Sequence, residues 1–246
     1  MELKTFSSAA DFIDESVKVL AAVSRTKGPE DIVYIALSGG RTPLAVYSAY
    51  AEHKDVDFSR LEFFLVDERY VPFDHERSNY HAIAENFLQK LKGKSHGVHF
   101  IDTTLLMHKA LVTYEKQLKE VPDHALDLVV LGMSPDGHIG SLFPRDPALH
   151  EPNHLVAYTH NEQSHTKDRL TLTFPTIMKA KRLLLLLAGE EKKATLEDLL
   201  HSDKVMEDMP AKKLLDHPRF TIHFYYPEHG GSTQEIYSLA QRNGVS

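Results

Sequence analysis

Ile32-Val33-Tyr34-Ile35-Ala36-Leu37-Ser38-Gly39-Gly40-Arg41-Thr42-Pro43 joins an apolar run of strand length to a glycine turn, and the turn to a helix start. The run is apolar throughout rather than alternating, the pattern of a strand covered on both faces. Gly39 and Gly40 let the backbone turn sharply and approach a ligand closely. Pro43 stands in the first turn of the helix expected over 43–53, where a missing N–H is tolerated. The helix start offers free amides and the positive end of a dipole, which suit a phosphate. Ser38 and Thr42 add hydroxyl donors. Without a ligand the same residues make a tight strand-to-helix turn. The glycine spacing is neither that of a Walker loop nor that of a dinucleotide fingerprint.

The same alternation runs outward in both directions. Further strands are expected at Leu61–Val66, Val98–Ile101, Leu126–Leu131, Leu155–Thr159, Leu170–Phe174, Leu183–Ala188 and Phe220–Tyr225. Helical periodicity covers Ser8–Arg25, Ser78–Leu91, Leu105–Lys119, Glu190–His201 and Thr233–Arg242. Ser8 and Ser78 read as N-caps. Strand and helix in alternation define an α/β protein with an open, parallel-rich sheet wrapped by helices. In such sheets ligands bind beyond the carboxyl ends of the strands. With no linker-like or low-complexity tract, residues 1–246 read as one domain.

The chain has 246 residues, 42% hydrophobic and 26% charged, with a net charge of −7. That balance argues against a nucleic-acid partner, which usually leaves a basic face. It leaves room for a small anionic substrate held by a local cluster of cations. With no cysteine there is no disulfide, thiol nucleophile or thiolate metal site. The N-terminus lacks a signal pattern, because Asp11, Asp14 and Glu15 interrupt it. The run Leu183–Ala188 is far too short to span a membrane. A cytoplasmic protein with no membrane partner is expected. The 16 histidines show no ligand spacing, so no metal and no other cofactor is expected. No G-x-S-x-G elbow is present, which argues against a serine hydrolase.

The loops after the strands hold the remaining candidates. Asp67-Glu68-Arg69 ends one strand. Adjacent carboxylates on an extended chain point to opposite faces, so the two cannot form one acid–base pair. One faces the site, assigned here to Asp67, and the other fastens the scaffold. Arg69 is either an ion-pair partner or a phosphate ligand, and its forked guanidinium suits the latter. Asn79 is a candidate substrate contact beside the capping Ser78. The loop Gly132-Met133-Ser134-Pro135-Asp136-Gly137-His138 follows the buried run at Leu126–Leu131. A histidine in a glycine-rich loop at a strand end is placed to exchange protons near neutral pH. His138 is therefore the candidate general base, with Asp136 as the group that holds its tautomer and Gly137 as a backbone contact. Arg169 and Lys192 are either surface charges or phosphate ligands. Arg169 precedes its strand and reaches the same sheet edge only if that strand runs antiparallel.

Taken together, Ser38-Gly39-Gly40 with Thr42-Pro43, Asp67-Glu68-Arg69 with Val71-Pro72 and Ser78-Asn79, and Gly132-x-x-Pro-Asp-Gly-His138-x-x-Ser-Leu-Phe-Pro144 resemble the 6-phosphogluconolactonase family. Arg169-Leu-Thr-Leu-Thr and Gly189-x-x-Lys192 resemble its later motifs, so the likeness spans nearly the whole chain in order. The resemblance implies a Rossmann-like fold and metal-free hydrolysis of 6-phospho-D-glucono-1,5-lactone in the pentose phosphate pathway, with His138 at the family's catalytic histidine. Ser134 stands where glycine is usual, and Ile139-Gly140 where threonine-alanine is common. Isoleucine there is similar to the related glucosamine-6-phosphate deaminases, but Arg69 and Ser141-Leu142-Phe143-Pro144 are not. Deaminase and a non-catalytic sugar-phosphate-binding regulator are the alternatives. The expected partner is a sugar phosphate, on a monomer or weak homo-oligomer.

Overall fold

A computed structural model describes residues 1–226. Its ten strands are β1 (Glu2–Phe6), β2 (Val33–Leu37), β3 (Leu61–Leu65), β4 (Asp67–Arg69), β5 (Gly97–His99), β6 (Leu128–Leu131), β7 (Val156–His160), β8 (Asp168–Leu172), β9 (Leu183–Ala188) and β10 (Phe220–Tyr225). Seven of them form a sheet in the order β1-β10-β9-β6-β2-β3-β5. Every pairing in it is parallel. A second sheet, in the order β4-β8-β7, is antiparallel.

The helices are α1 (Ala9–Ser24), α2 (Arg41–Tyr50), α3 (Asn79–Ile83), α4 (Gln89–Leu91), α5 (Met107–Glu120), α6 (Phe174–Lys179) and α7 (Lys193–His201). The segment Ala84–Leu88, a single π turn, joins α3 to α4. Ser8 caps α1 by accepting from the Asp11 amide at 3.3 Å, and Ser78 caps α3 by accepting from the His81 amide at 3.1 Å. Both caps satisfy amides that a helix start otherwise leaves unpaired.

Continuous apolar strands arise because the main sheet has a core on each face. Leu128 and Val130 join Phe12, Leu20, Tyr47 and Phe87 beneath α1 and α2. Val129 and Leu131 point the other way, to Tyr114, Leu118, Leu172 and Leu199. The leucines of β9 alternate likewise: Leu184 and Leu186 serve one core, Leu183, Leu185 and Leu187 the other. Each is buried, and truncating one to alanine removes roughly 2–5 kcal/mol. At the amino ends of the strands, buried Asp127 pairs with Lys27 at 2.7 Å and Lys181 at 2.8 Å and accepts from the Tyr34 amide. That clasp ties one edge of the sheet and leaves the carboxyl edge to the loops.

The expected elements differ from the observed ones in particular places. The run expected at Leu170–Phe174 begins earlier, at Asp168, and ends at Leu172; Phe174-Pro175 starts α6, with proline in its first turn. The strand expected at Leu61–Val66 stops at Leu65, and Asp67–Arg69 crosses to the second sheet. Helix α2 begins at Arg41 rather than Pro43, with Gly40 at its N-cap. β1 was not expected at all: its Glu2 and Lys4 mask the pattern of a half-exposed edge strand. The helix expected at Thr233–Arg242 lies outside the described residues. No helix among the described residues is long and apolar enough to cross a membrane.

Candidate active site

At the end of β2, the chain turns through Ser38-Gly39-Gly40 into α2. A side chain on Gly39 would place its Cβ 1.9 Å from the Asn79 amide oxygen, so only glycine fits. Gly40 has φ +103°, a conformation glycine adopts without strain. The Tyr47 hydroxyl donates to the Ser38 carbonyl at 3.2 Å and fixes the turn from below. The Ser38 hydroxyl is buried and finds no hydrogen-bond partner among the described residues.

The two carboxylates after β3 separate as strand geometry requires. Glu68 is buried and accepts from the amides of Arg69, Asn79 and Tyr80 and from the Ser78 hydroxyl. Its role is to pin the start of α3. Burial raises its carboxyl above the ordinary range even against those four donors. Asp67 turns to the cavity and accepts from the Ser141 hydroxyl at 2.6 Å. Asn79 donates to the Asp67 carbonyl at 2.9 Å, and with its oxygen against Gly39 it braces the two loops together.

Arg69 and Arg169 are register partners across β4 and β8. The antiparallel run of β8 is what brings Arg169 to this edge. Arg69 donates from Nη1 to the Arg77 carbonyl at 2.7 Å, while its buried Nε has no partner among the described residues. Arg169 lies over the Phe143 ring at 5.2 Å, and burial lowers its guanidinium from the ordinary value. Lys192, in the turn after β9, is also lowered by burial. A cation that has lost water without full compensation favours an anionic partner.

The loop after β6 carries the proton chemistry. Asp136 accepts from the His138 amide at 3.2 Å and stands 2.8 Å from His138 Nδ1. Burial pushes the Asp136 carboxyl up, but the hydrogen bond and charge of His138 outweigh it and hold it below its ordinary value. An ionised Asp136 keeps the proton on Nδ1 and leaves Nε2 as the acceptor. Nε2 lies 3.0 Å from the Ser134 hydroxyl, and the His138 ring packs against Phe143.

These loops enclose one cavity of about 410 Å3. It is lined by Ser38, Gly39, Gly40, Thr42, Asp67, Arg69, Asn79, His138, Arg169 and Lys192, all expected from the sequence. Two expected residues are not in its wall. Asp136 stands behind His138 on the far ring nitrogen. Gly137 also lies outside: it has φ +81°, and a Cβ there would meet Met209 at 2.4 Å, so it shapes the loop instead. Arg41, Met133, Ser134 and Glu191, none of them expected as site residues, also line the cavity. Arg41 was legible, since it begins the helix after the glycine turn; nothing local marked the others. Among the described residues no group of three histidine, aspartate or glutamate side chains converges as a metal site would need.

The main parallel sheet thus carries a cation-rich cavity beyond its carboxyl edge, a setting that suits an anionic ligand. Residues 7–222 match the family model described as glucosamine-6-phosphate isomerases/6-phosphogluconolactonase. A 6-phosphogluconolactonase of Thermotoga maritima is 37% identical over 190 residues, covering 77% of this chain and 84% of that protein. A probable 6-phosphogluconolactonase of Schizosaccharomyces pombe is 33% identical over 226 residues, covering 83% and 86%. The crystal structure of a Thermotoga maritima 6-phosphogluconolactonase superposes with a TM-score of 0.80 at 32% identity, covering 91% of this chain and 98% of that one. The chain belongs to the glucosamine-6-phosphate isomerase/6-phosphogluconolactonase family.

Proposed function

We propose that this chain is a lactone hydrolase of sugar phosphates, and in particular that it converts 6-phospho-D-glucono-1,5-lactone to 6-phosphogluconate in the pentose phosphate pathway. The observation that carries the reading is His138, backed by Asp136, in the wall of a cavity that Arg69, Arg169 and Lys192 also line. The names of the relatives support the same substrate.

The lactone carbonyl is already an electrophile, so water can attack it directly. Neutral His138, held with its proton on Nδ1 by Asp136, is the base that ultimately receives a proton from that water as it adds to C1. The imidazolium then returns a proton to the ring oxygen as the C1–O bond breaks. General acid–base help of this kind gives ~10²–10⁴-fold. The phosphate is gripped by the cations, together with the free Ser38 hydroxyl and the amides at the start of α2. Gripping the remote phosphate fixes C1 against His138, so binding energy is used for orientation.

The deciding experiment is lactone hydrolysis followed beside ammonia release from glucosamine 6-phosphate. Hydrolysis without ammonia is expected. Ammonia release would make the chain a deaminase, and ligand binding with neither reaction would make it a regulator.

A further inference from the structure

The hydrogen bond on His138 Nε2 has a consequence for where the water sits. Asp136 accepts a hydrogen bond from Nδ1–H, so Nε2 carries a single in-plane lone pair. The Ser134 hydroxyl, at 3.0 Å, can only donate to it. The one acceptor site of the base is therefore occupied by a side chain of the same loop. A water meant for C1 cannot bond to Nε2 at the same time, but it can donate to Ser134 Oγ, which keeps acceptor capacity and lines the cavity.

We propose that Ser134 is the proton relay between the attacking water and His138; this rests on the hydrolase reading above. As the water oxygen bonds to C1, the carbonyl electron pair moves onto its oxygen. The water proton passes to Ser134 Oγ and the hydroxyl proton passes to His138 Nε2. On collapse the carbonyl re-forms, the C1–ring oxygen bond breaks, and the proton returns along the same path to the ring oxygen. Serine is unchanged, and one water is added to one lactone.

Two features separate a relay from the other uses of a serine. A nucleophilic serine is commonly followed by a backbone amide that helps hold the oxyanion. Here the next residue is Pro135, which has no N–H, and the Ser134 amide already donates to the His138 carbonyl at 3.1 Å. A serine that only shapes the loop would act through that backbone bond and through its carbonyl, which accepts from the Gly137 amide at 2.9 Å. Neither bond uses the hydroxyl.

The test compares wild type with Ser134→Ala, Ser134→Gly and Ser134→Thr. The first two should lower kcat on the order of 10-fold with KM little changed, and threonine, which keeps a hydroxyl, should restore most of it. The loss falls below that of a complete acid–base group because, without the hydroxyl, the attacking water can reach Nε2 directly. In mixtures of light and heavy water, wild-type kcat should vary along a curve, since two protons move together, and the alanine variant along a line. Full activity in alanine, an equal loss in threonine, or a straight line in wild type would overturn the relay. A mass increase on Ser134 in quenched reactions would overturn it by making serine the nucleophile. A wild-type chain that does not hydrolyse the lactone would overturn the hydrolase reading and the relay with it.

Discussion

Arg69 and Arg169 stand directly opposite each other across β4 and β8, so two guanidinium groups share one face of the small sheet. Like charges placed opposite each other are destabilising. Phe143 under Arg169 and the Arg77 carbonyl on Arg69 offset part of that repulsion. A dianionic phosphate between them would offset the rest. Product 6-phosphogluconate at 100 times its Kd should therefore stabilise the fold by about 2.7 kcal/mol. At ~2–4 °C per kcal/mol for a chain of this size, Tm should rise by roughly 5–10 °C. In Arg169→Ala the rise should shrink at the same product concentration, while the unliganded Tm holds or increases. An undiminished rise in thermal melts would remove Arg169 from the phosphate site.

Arg69 and Lys192 lie far apart in sequence and line one cavity. Replacing either with alanine should weaken phosphorylated lactone far more than unphosphorylated gluconolactone. A charge-assisted contact is worth roughly 1.5–3 kcal/mol, which corresponds to a selective loss on the order of 10–100-fold in kcat/KM. Equal losses on both lactones would assign these cations to the fold or to the lactone end.

His138→Ala should lose most turnover, on the order of 10²-fold or more, with product affinity nearly unchanged. Asp136→Asn tests a different property, because an amide no longer demands a proton on Nδ1. It should lower kcat with little effect on KM, and single-turnover hydrolysis reads both variants. Wild-type rates in His138→Ala would dismiss the base.

His223 gives a prediction about acid stability. It is fully buried against Phe6, bonded to Ser16 at 2.9 Å, and burial, helped by Lys4, lowers its pKa to about 4. An unfolded histidine titrates near ~6.5. Between those values the unfolded state binds the extra proton, so stability is lost as pH falls from about 6.5 toward 4. The loss is at most roughly 3–4 kcal/mol. Urea unfolding of His223→Gln over this range should show a flatter pH dependence than wild type. Identical slopes would place the acid sensitivity elsewhere.

The inner strands of the main sheet were legible because they are apolar on both faces, whereas its edge strand β1 was not. The second sheet was harder to see. Asp67-Glu68-Arg69 has no strand composition, and it is a strand because β8 offers it a partner. Leu170–Phe174 read as one element, since an apolar run does not show where a strand yields to a helix beginning Phe174-Pro175. Within the site, the separate fates of Asp67 and Glu68 followed from strand geometry alone. The bracing of Gly39 by Asn79 did not, because the two are distant in sequence and meet only through packing. The contact of Ser134 with His138 was hidden for the opposite reason: the two are near neighbours, and only the turn that Gly137 allows brings hydroxyl and ring together.

The two halves of this site are assembled on different scales. Ser134, Asp136 and His138 form a contiguous cassette whose hydrogen bonds close within one tight loop. The proposed phosphate grip gathers Ser38, Arg69, Arg169 and Lys192 from four separate strand ends and exists only while the sheets hold register. Chain entropy penalises the second kind of assembly far more than the first. Partial loosening of the molecule, by warmth or mild denaturant, should thus spend recognition before reactivity. A loosened enzyme would become less choosy about phosphate before it became inert.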